Sequence, residues 1–245
     1  GGTGTYLYVW STGDSTSIIS GLSTGTYGVD IFDSYQCSTN VQMTLLDPDT
    51  IHINYSVSDY NGNNVSCFGF SDGTFTANIT GGSNIDFNSI VWTDNLGNLI
   101  SPNNIINDTT VINVPAGTYN ISVSDFNGCS ATSSITLTEP DELVNFFTTD
   151  SITCNGGSDG AAYSNVSGGT SPYSYSWLGS SSDSSSAHAL MANTIYTISI
   201  QDYNGCPILL DDISVLEPDG ISISLIQNSP TCNGFNDGQI IVDNI

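Results

Sequence analysis

Three sequence blocks recur in the same order along the chain, and this internal repeat restricts the possible folds more than any other feature. The first block runs from a tyrosine to a cysteine ten positions later, with copies at Tyr27 to Cys37, Tyr119 to Cys129 and Tyr196 to Cys206. The second begins at a cysteine and ends in Asp-Gly, with copies starting at Cys67, Cys154 and Cys232. The third is Glu139-Pro140-Asp141, matched by Glu217-Pro218-Asp219 and more loosely by Asp47-Pro48-Asp49. Copies lie 77 to 92 residues apart, which is the size of one immunoglobulin-like sandwich domain.

Inside each copy, apolar and polar residues alternate with a period of two. Tyr119, Ile121 and Val123 alternate with polar residues, which predicts a strand with one buried and one exposed face. Asp-x-Asn-Gly at 125–128 and 202–205 predicts a hairpin turn in which Asn-Gly supplies positive φ. The predicted fold is all-β, a linear array of tandem immunoglobulin-like antiparallel β-sandwiches. The tryptophans at equivalent places on the predicted third strands are predicted core anchors: Trp10, Trp92 and Trp177.

The repeat also predicts four segments. Residues 1–48 form an incomplete repeat without its first two strands, 49–140 and 141–218 are complete sandwiches, and 219–245 are the first two strands of a further repeat. Gly1-Gly2 aligns with Gly168-Gly169, and Ile245 stops at the end of a second strand. Two interpretations fit: a longer array that continues beyond both ends, or a subunit that completes its neighbour by strand donation in a head-to-tail filament.

The charge balance excludes several functions. The chain has no Lys or Arg against 24 Asp and Glu, so it lacks the side chains that neutralise phosphate, and binding to nucleic acid or anionic lipid is not expected. No run of 18 apolar residues occurs, so we expect no direct membrane insertion. The fold must therefore depend on core packing, strand pairing and covalent links.

The six cysteines favour disulfides over zinc, because no two have the close spacing of a zinc site. Three connectivities respect the repeat: pairing within a repeat (Cys67–Cys129 and Cys154–Cys206), sequential pairing (Cys37–Cys67, Cys129–Cys154 and Cys206–Cys232), and pairing between neighbouring repeats (Cys67–Cys206). In an immunoglobulin-like sandwich, the loops after strands one and six lie about 25–30 Å apart, at opposite ends. A disulfide allows a Cα separation of about 7 Å. The topology therefore favours Cys67–Cys206 while the other two pairings stay open.

The string from Cys154 to Gly160, with Gly168-Gly169, Ser171-Pro172-Tyr173, the turn at 202–206 and Glu217-Pro218, resembles the SprB repeat. This repeat belongs to gliding-motility adhesins of Bacteroidota that are exported by type IX secretion. The likeness covers nearly the whole chain, although Phe68 stands where Asn is usual. The resemblance implies a PKD-like sandwich in the stalk or filament of a very large adhesin, outside the cell on a bacterial surface. The implied partners are adjacent copies of the array and surfaces or polysaccharide, with no catalytic residue and no cofactor.

Two kinds of modification or ligand are possible from local sequence. Charge alone makes the acidic residues at the predicted junctions calcium candidates, namely Asp47, Asp49, Asp141 and Asp219, with Glu142, Asp211 and Asp212 nearby. The resemblance also implies O-glycosylation at Asp-Ser/Thr motifs, for which the candidates are Ser15, Thr50, Thr109 and Ser151. Unmodified surface hydroxyls are the alternative for these four.

Two other function classes compete with an adhesin. An enzyme is not expected, because the only histidines, His52 and His188, are isolated in sequence and differently placed in the repeat. A carbohydrate-binding module needs exposed aromatic residues on one face, and only Tyr60, Phe126 and Tyr203, at predicted hairpin tips, are candidates.

Overall fold

A computed structural model describes residues 2–244, with the backbone alone at residues 209, 211 and 244. Over these residues the chain forms eighteen β-strands and one short 3₁₀ helix, without an α-helix. Neighbouring strands pair antiparallel. The predicted all-β fold class is therefore confirmed.

Contacts group the chain into two units. The first contains the residues up to Asn54 together with Asn78–Val91 and Ile121–Ser133. Its N-terminal sheet has the order β1-β2-β3, formed by β1 (Leu7–Trp10), β2 (Gly25–Phe32) and β3 (Ser38–Leu45). Val29 pairs with Trp10 on one side and with Val41 on the other. Val29 is buried but Trp10 is half-exposed, so this tryptophan is a weaker core anchor than predicted.

The middle strands form two sheets and contribute residues to both units. Their bounds are β4 (His52–Val57), β5 (Gly73–Thr80), β6 (Ile85–Asp94), β7 (Ile105–Asn107), β8 (Thr110–Val114), β9 (Gly117–Asp125) and β10 (Ser130–Leu137), with the 3₁₀ helix at Pro102–Asn104. One sheet has the order β4-β5-β8-β7 and the other β10-β9-β6. In immunoglobulin notation these orders are A-B-E-D and G-F-C, the arrangement of a seven-stranded constant-type domain.

The second unit contains Tyr55–Ala77, Trp92–Asn120 and the residues from Ser134 on. Its later strands are β11 (Val144–Asp150), β12 (Gly160–Ser167), β13 (Ser174–Leu178), β14 (Ser186–Leu190), β15 (Tyr196–Gln201), β16 (Pro207–Ile213), β17 (Ser224–Asn228) and β18 (Gln239–Asn244). The sheets β11-β12-β14 and β13-β15-β16 repeat the A-B-E and C-F-G orders, and β17 pairs with β18.

The inward residues predicted from the period of two build the cores that hold these sheets together. In the second unit, the Phe75 ring of strand B lies 5.1 Å from the ring centroids of both Trp92 on strand C and Tyr119 on strand F. Trp177, Ile198 and Ala162 occupy one buried cluster in the same way. Each pair of sheets therefore packs face to face as an immunoglobulin-like β-sandwich.

The glycine of the Ser-Asp-Gly motif starts strand B because no side chain fits there. A Cβ on Gly73 would lie 2.7 Å from the carbonyl oxygen of Val114 and 2.8 Å from a methyl of Leu137. A Cβ on Gly160 would meet the Leu190 carbonyl oxygen at 3.0 Å. The motif thus marks a close approach between strand B and its neighbours.

Candidate functional site at the repeat junction

A tyrosine fixes the start of strand F in each copy. The hydroxyl of Tyr119 donates to the carbonyl of Pro115 at 2.7 Å, and that of Tyr27 donates to Ser23 at 2.8 Å. In the third copy the Tyr196 hydroxyl accepts from the N–H of Met191 at 2.9 Å. This is the tyrosine corner of immunoglobulin-like domains. The period of two in the sequence predicts a buried face for Tyr119 but gives no sign of this hydrogen bond.

Strand F ends in a turn that we call the cysteine hairpin, with copies at 33–37, 125–129 and 202–206. In the third copy the Asp202 carboxylate accepts from the N–H of Cys206 at 2.8 Å and from that of Thr170 at 2.7 Å. It therefore joins the F–G turn to the B–C loop. Gly205 has positive φ, so only the glycine of the Asn-Gly pair adopts the left-handed conformation.

The other two cysteine hairpins have the same carboxylate arrangement. Asp125 accepts from Cys129 at 2.9 Å and from Ser83 at 2.9 Å, and Asp33 accepts from Cys37 at 3.0 Å. The pKa of Asp125 lies below its ordinary value of 3.8, first because the Ser83 N–H donates to the carboxylate. The pKa of Asp33 is lowered first by the N–H of Cys37. The aspartates of these two hairpins are thus structural anions that backbone amides stabilise.

The second cysteine motif folds into a compact loop between strands A and B, which we call the cysteine turn. Its copies are 66–72, 153–159 and 231–237. In the first, the Asp72 carboxylate accepts from the N–H of Ser66 at 3.0 Å. The Glu139 carboxylate, from the end of the same repeat, accepts from the N–H of Gly69 at 2.6 Å. Glu217 binds Gly156 equivalently at 2.7 Å. Only the recurrence of Glu-Pro-Asp in the sequence hinted that this glutamate has a specific partner.

A disulfide joins a cysteine turn to a cysteine hairpin. The sulfurs of Cys67 and Cys206 lie 2.02 Å apart with a Cα separation of 5.7 Å, and both residues are buried. The bond links the loop between β4 and β5 to the loop between β15 and β16, which are the A–B and F–G loops of the two predicted complete repeats. Pairing within a repeat would bond Cys67 to Cys129, and sequential pairing would bond it to Cys37. The structure has Cys67 bonded to Cys206 instead. The remaining cysteines are unbonded and exposed: Cys37, Cys129, Cys154 and Cys232.

The Asn204 side chain makes four polar contacts beside this disulfide. Its amide nitrogen lies 3.1 Å from the carbonyl oxygen of Ser66, 3.4 Å from that of Tyr60 and 3.1 Å from the Thr170 hydroxyl. Its amide oxygen accepts from the side chain of Asn61 at 3.0 Å. One side chain thus connects the turn, the preceding loop and the B–C loop of the next repeat. From the sequence, this asparagine is predicted only as a turn former, because its partners in the cysteine turn and the preceding loop lie about 140 residues away.

The calcium candidates differ in the contacts that they make. The Asp47 carboxylate accepts from the Thr24 hydroxyl at 3.2 Å, whereas Asp49 and Asp141 use backbone carbonyls to accept from Gly82 and Gly169, each at 2.8 Å. Asp219 is exposed. Within residues 2–244, no three His, Cys, Asp or Glu side chains gather closely enough to hold a metal ion. The side chain of Asp211 lies outside the described residues, and calcium binding stays a prediction.

The remaining predicted residues are spread over the surface. Ser15, Thr50 and Ser151 are exposed and Thr109 is half-buried, so glycosylation at these positions stays a prediction. His52 lies 2.9 Å from the Thr50 hydroxyl, and the His188 ring packs edge-on against Tyr163 at 5.7 Å. Of the three aromatic candidates, Phe126 and Tyr203 are exposed and Tyr60 is half-buried. Gly1 and Ile245, on which the alignment of the ends depends, lie outside the described residues.

Residues 147–182 match the family model of the SprB repeat. They cover the second half of β11, the cysteine turn at 153–159, and the strands β12 and β13. No curated protein matches the sequence. No helix in the described part of the chain is long and apolar enough to span a membrane.

Solved structures that match this chain include tandem immunoglobulin and cadherin domains. Immunoglobulin domains 1–5 of Sidekick-1 match at 14% identity and a TM-score of 0.32, over 87% of this chain and 52% of that one. Cadherin domains 3–6 of protocadherin gamma B2 match at 14% and 0.34, over 85% and 60%. Domains 3–5 of Drosophila OTK match at 11% and 0.30, over 82% and 73%. The chain thus spans only about half the length of the Sidekick-1 structure of domains 1–5. The immunoglobulin-like assignment rests on the strand order, because TM-scores this low identify no specific relative.

Proposed function

We propose that the chain is a structural stalk segment of a very large adhesin on the outer surface of a bacterium. The repeats 49–140 and 141–218 are its complete domains, and residues 1–48 and 219–245 belong to further repeats. The disulfide between Cys67 and Cys206 is the observation that carries the proposal. A bond from the A–B loop of one repeat to the F–G loop of the next lets tension pass between sandwiches without depending on the linker alone.

The match to the SprB repeat supports the adhesin part of the proposal. By this resemblance the parent protein serves gliding motility and surface attachment and leaves the cell by type IX secretion. A disulfide persists in oxidising surroundings, which agrees with an extracellular location. The absence of Lys and Arg disfavours nucleic acid and anionic lipid as partners. The proposed partners are adjacent repeats, and surfaces or polysaccharide for the adhesin as a whole.

A binding assay separates a stalk from a carbohydrate-binding module. We expect the purified chain to show no saturable binding to a glycan array or to polysaccharide-coated surfaces, because a stalk segment needs no ligand site of its own. Tyr203→Ala is the informative variant, since Tyr203 is exposed at a hairpin tip, and Tyr35→Ala is a matched exposed control. Saturable binding that Tyr203→Ala abolishes and Tyr35→Ala leaves intact would replace the stalk proposal with a glycan-binding function.

Strand donation between subunits is a second candidate, favoured by the open apolar faces of the two incomplete repeats. The β1–β3 sheet exposes Met43 and leaves Trp10 half-exposed, and the β17–β18 hairpin exposes Ile240 and Val242. In the complete repeats, the corresponding strands A and B cover strands C and F. Sedimentation at increasing concentration tests this candidate. Head-to-tail oligomers support it, and a monomer throughout rejects it while leaving the stalk proposal unaffected.

A further inference from the structure

The four exposed cysteines are of two kinds. Cys154 and Cys232 occupy cysteine turns, like Cys67, whereas Cys37 and Cys129 occupy cysteine hairpins, like Cys206. The disulfide present in the structure joins one residue of each kind. The exposed cysteines therefore carry the two halves of the same junction.

The exposed turns have the conformation of the bonded one. The Thr153 N–H donates to the Asp159 carboxylate at 3.1 Å, as Ser66 does to Asp72 at 3.0 Å. Gly157 donates to the carbonyl of Cys154 at 2.9 Å, and the corresponding bond to Cys67 is 3.1 Å. The bonded turn at Cys67 therefore has the same conformation as the unbonded turn at Cys154, and Cys154 presents its thiol on a loop of that conformation.

The hairpin at 125–129 likewise matches the bonded hairpin at 202–206. In both, the aspartate carboxylate accepts from the cysteine N–H, at 2.9 Å for Asp125 and 2.8 Å for Asp202. Asn127 occupies the position of Asn204, and an exposed aromatic precedes each asparagine. The amide that reaches the Ser66 carbonyl oxygen in the bonded junction thus has a counterpart beside Cys129.

We propose that each exposed turn cysteine is a covalent docking point for the cysteine hairpin of another repeat of this kind. Cys154 then accepts a hairpin such as the one at Cys129 on a second copy of the chain, with Asn127 donating to the Thr153 carbonyl. The inference rests on the proposed stalk function and names the partner of its junctions. Pairing of two turns or of two hairpins is disfavoured because it brings no asparagine amide to a turn carbonyl.

One difference between the turns affects the strength of docking. Strand A ends at Val57, ten residues before Cys67, and the intervening loop supplies Tyr60 and Asn61 to Asn204. Strand β11 instead continues to Asp150, four residues before Cys154. Docking at Cys154 therefore keeps the contact to the turn carbonyl and lacks the contacts to this loop.

The bond requires a disulfide oxidant, for which glutathione disulfide is sufficient. One cysteine thiolate attacks glutathione disulfide and releases one glutathione thiolate. The thiolate of the second cysteine then attacks the protein sulfur of the mixed disulfide and releases the other. Two protein thiols are oxidised to one disulfide, and one glutathione disulfide is reduced to two glutathiones, which take up the two protons.

The test uses two full-length variants that each keep the Cys67–Cys206 bond and one exposed cysteine. The turn variant keeps Cys154, and the hairpin variant keeps Cys129, with the other exposed cysteines changed to Ser. After equilibration of an equal mixture in glutathione buffer, random pairing makes half of the dimers heterodimers. We expect roughly three-quarters or more, because one additional hydrogen-bonded contact favours the heterodimer about fivefold.

Adding Asn127→Ala to the hairpin variant should return the heterodimer to the random half, whereas Asn95→Ala at an exposed turn should leave it raised. Four results would each overturn the inference. They are random pairing without either substitution, an excess of homodimers, no dimer at all, and an excess of heterodimer that Asn127→Ala does not change. The stalk proposal is assessed separately by glycan binding and by stretching single molecules. It can therefore survive a negative result here.

Discussion

Stretching single molecules from their ends tests how the disulfide between repeats would act in a stalk. Cys67 and Cys206 are separated by 139 residues. An extended chain spans roughly 3.3–3.6 Å per residue, so the closed loop hides about 460–500 Å of contour length. We expect the oxidised chain to stop short of its full length by this amount and a reducing agent to release it.

Two variants make the measurement specific. Cys67→Ser combined with Cys206→Ser should give the full length without reductant, because neither end of the loop remains closed. Cys154→Ser should stay short until it is reduced, because this cysteine is exposed and unbonded. Full extension of the untreated protein, or an increment on reduction far from about 460–500 Å, would refute the reasoning.

Three smaller predictions concern the residues that shape the junction and the cores. Native Asp125 has a lowered pKa, so its contribution to stability is complete above the ordinary value of 3.8 and is lost as pH falls through the native pKa. The free energy of unfolding of Asp125→Asn should therefore fall less on acidification than that of the parent protein. An equal loss of stability in the two proteins would contradict the assignment. Gly205→Ala should lower the free energy of unfolding in denaturant by about 1 kcal/mol, because its φ of +86° is unfavourable for alanine. Nothing crowds the Cβ position, so no steric clash adds to this cost. Gly73→Ala should cost more, about 1–3 kcal/mol, because its Cβ would strike backbone and Leu137; equal costs for the two would show that crowding at Gly73 is relieved.

Local pattern was sufficient to predict much of the fold. The alternation at Tyr119, Ile121 and Val123 identified a strand whose three apolar side chains are all buried. The tryptophan of the third strand is buried at Trp92 and Trp177. Trp10 is half-exposed, and Met43 and Leu45 of the same β1–β3 sheet are exposed. A sequence pattern does not report what covers a face.

The candidate site was predictable only where topology supplied the geometry. In an immunoglobulin-like sandwich, the A–B and F–G loops lie at opposite ends. This geometry was enough to favour Cys67–Cys206 over pairing within a repeat. The roles of Glu139 and Asn204 were not predictable, because each depends on a partner about 70 to 140 residues away in sequence. Polar side chains of this kind look like ordinary turn and linker residues until the loops are placed in space.

Peptide mapping without reduction tests the covalent junction most directly. The chain offers trypsin no Lys or Arg, so the alkylated protein must be cut with proteases specific for acidic and aromatic residues. For the monomeric chain we predict one linked peptide pair that contains Cys67 and Cys206, with the other four cysteines alkylated. A Cys67 peptide linked to Cys129, or recovered alkylated, would contradict the covalent connection between successive repeats.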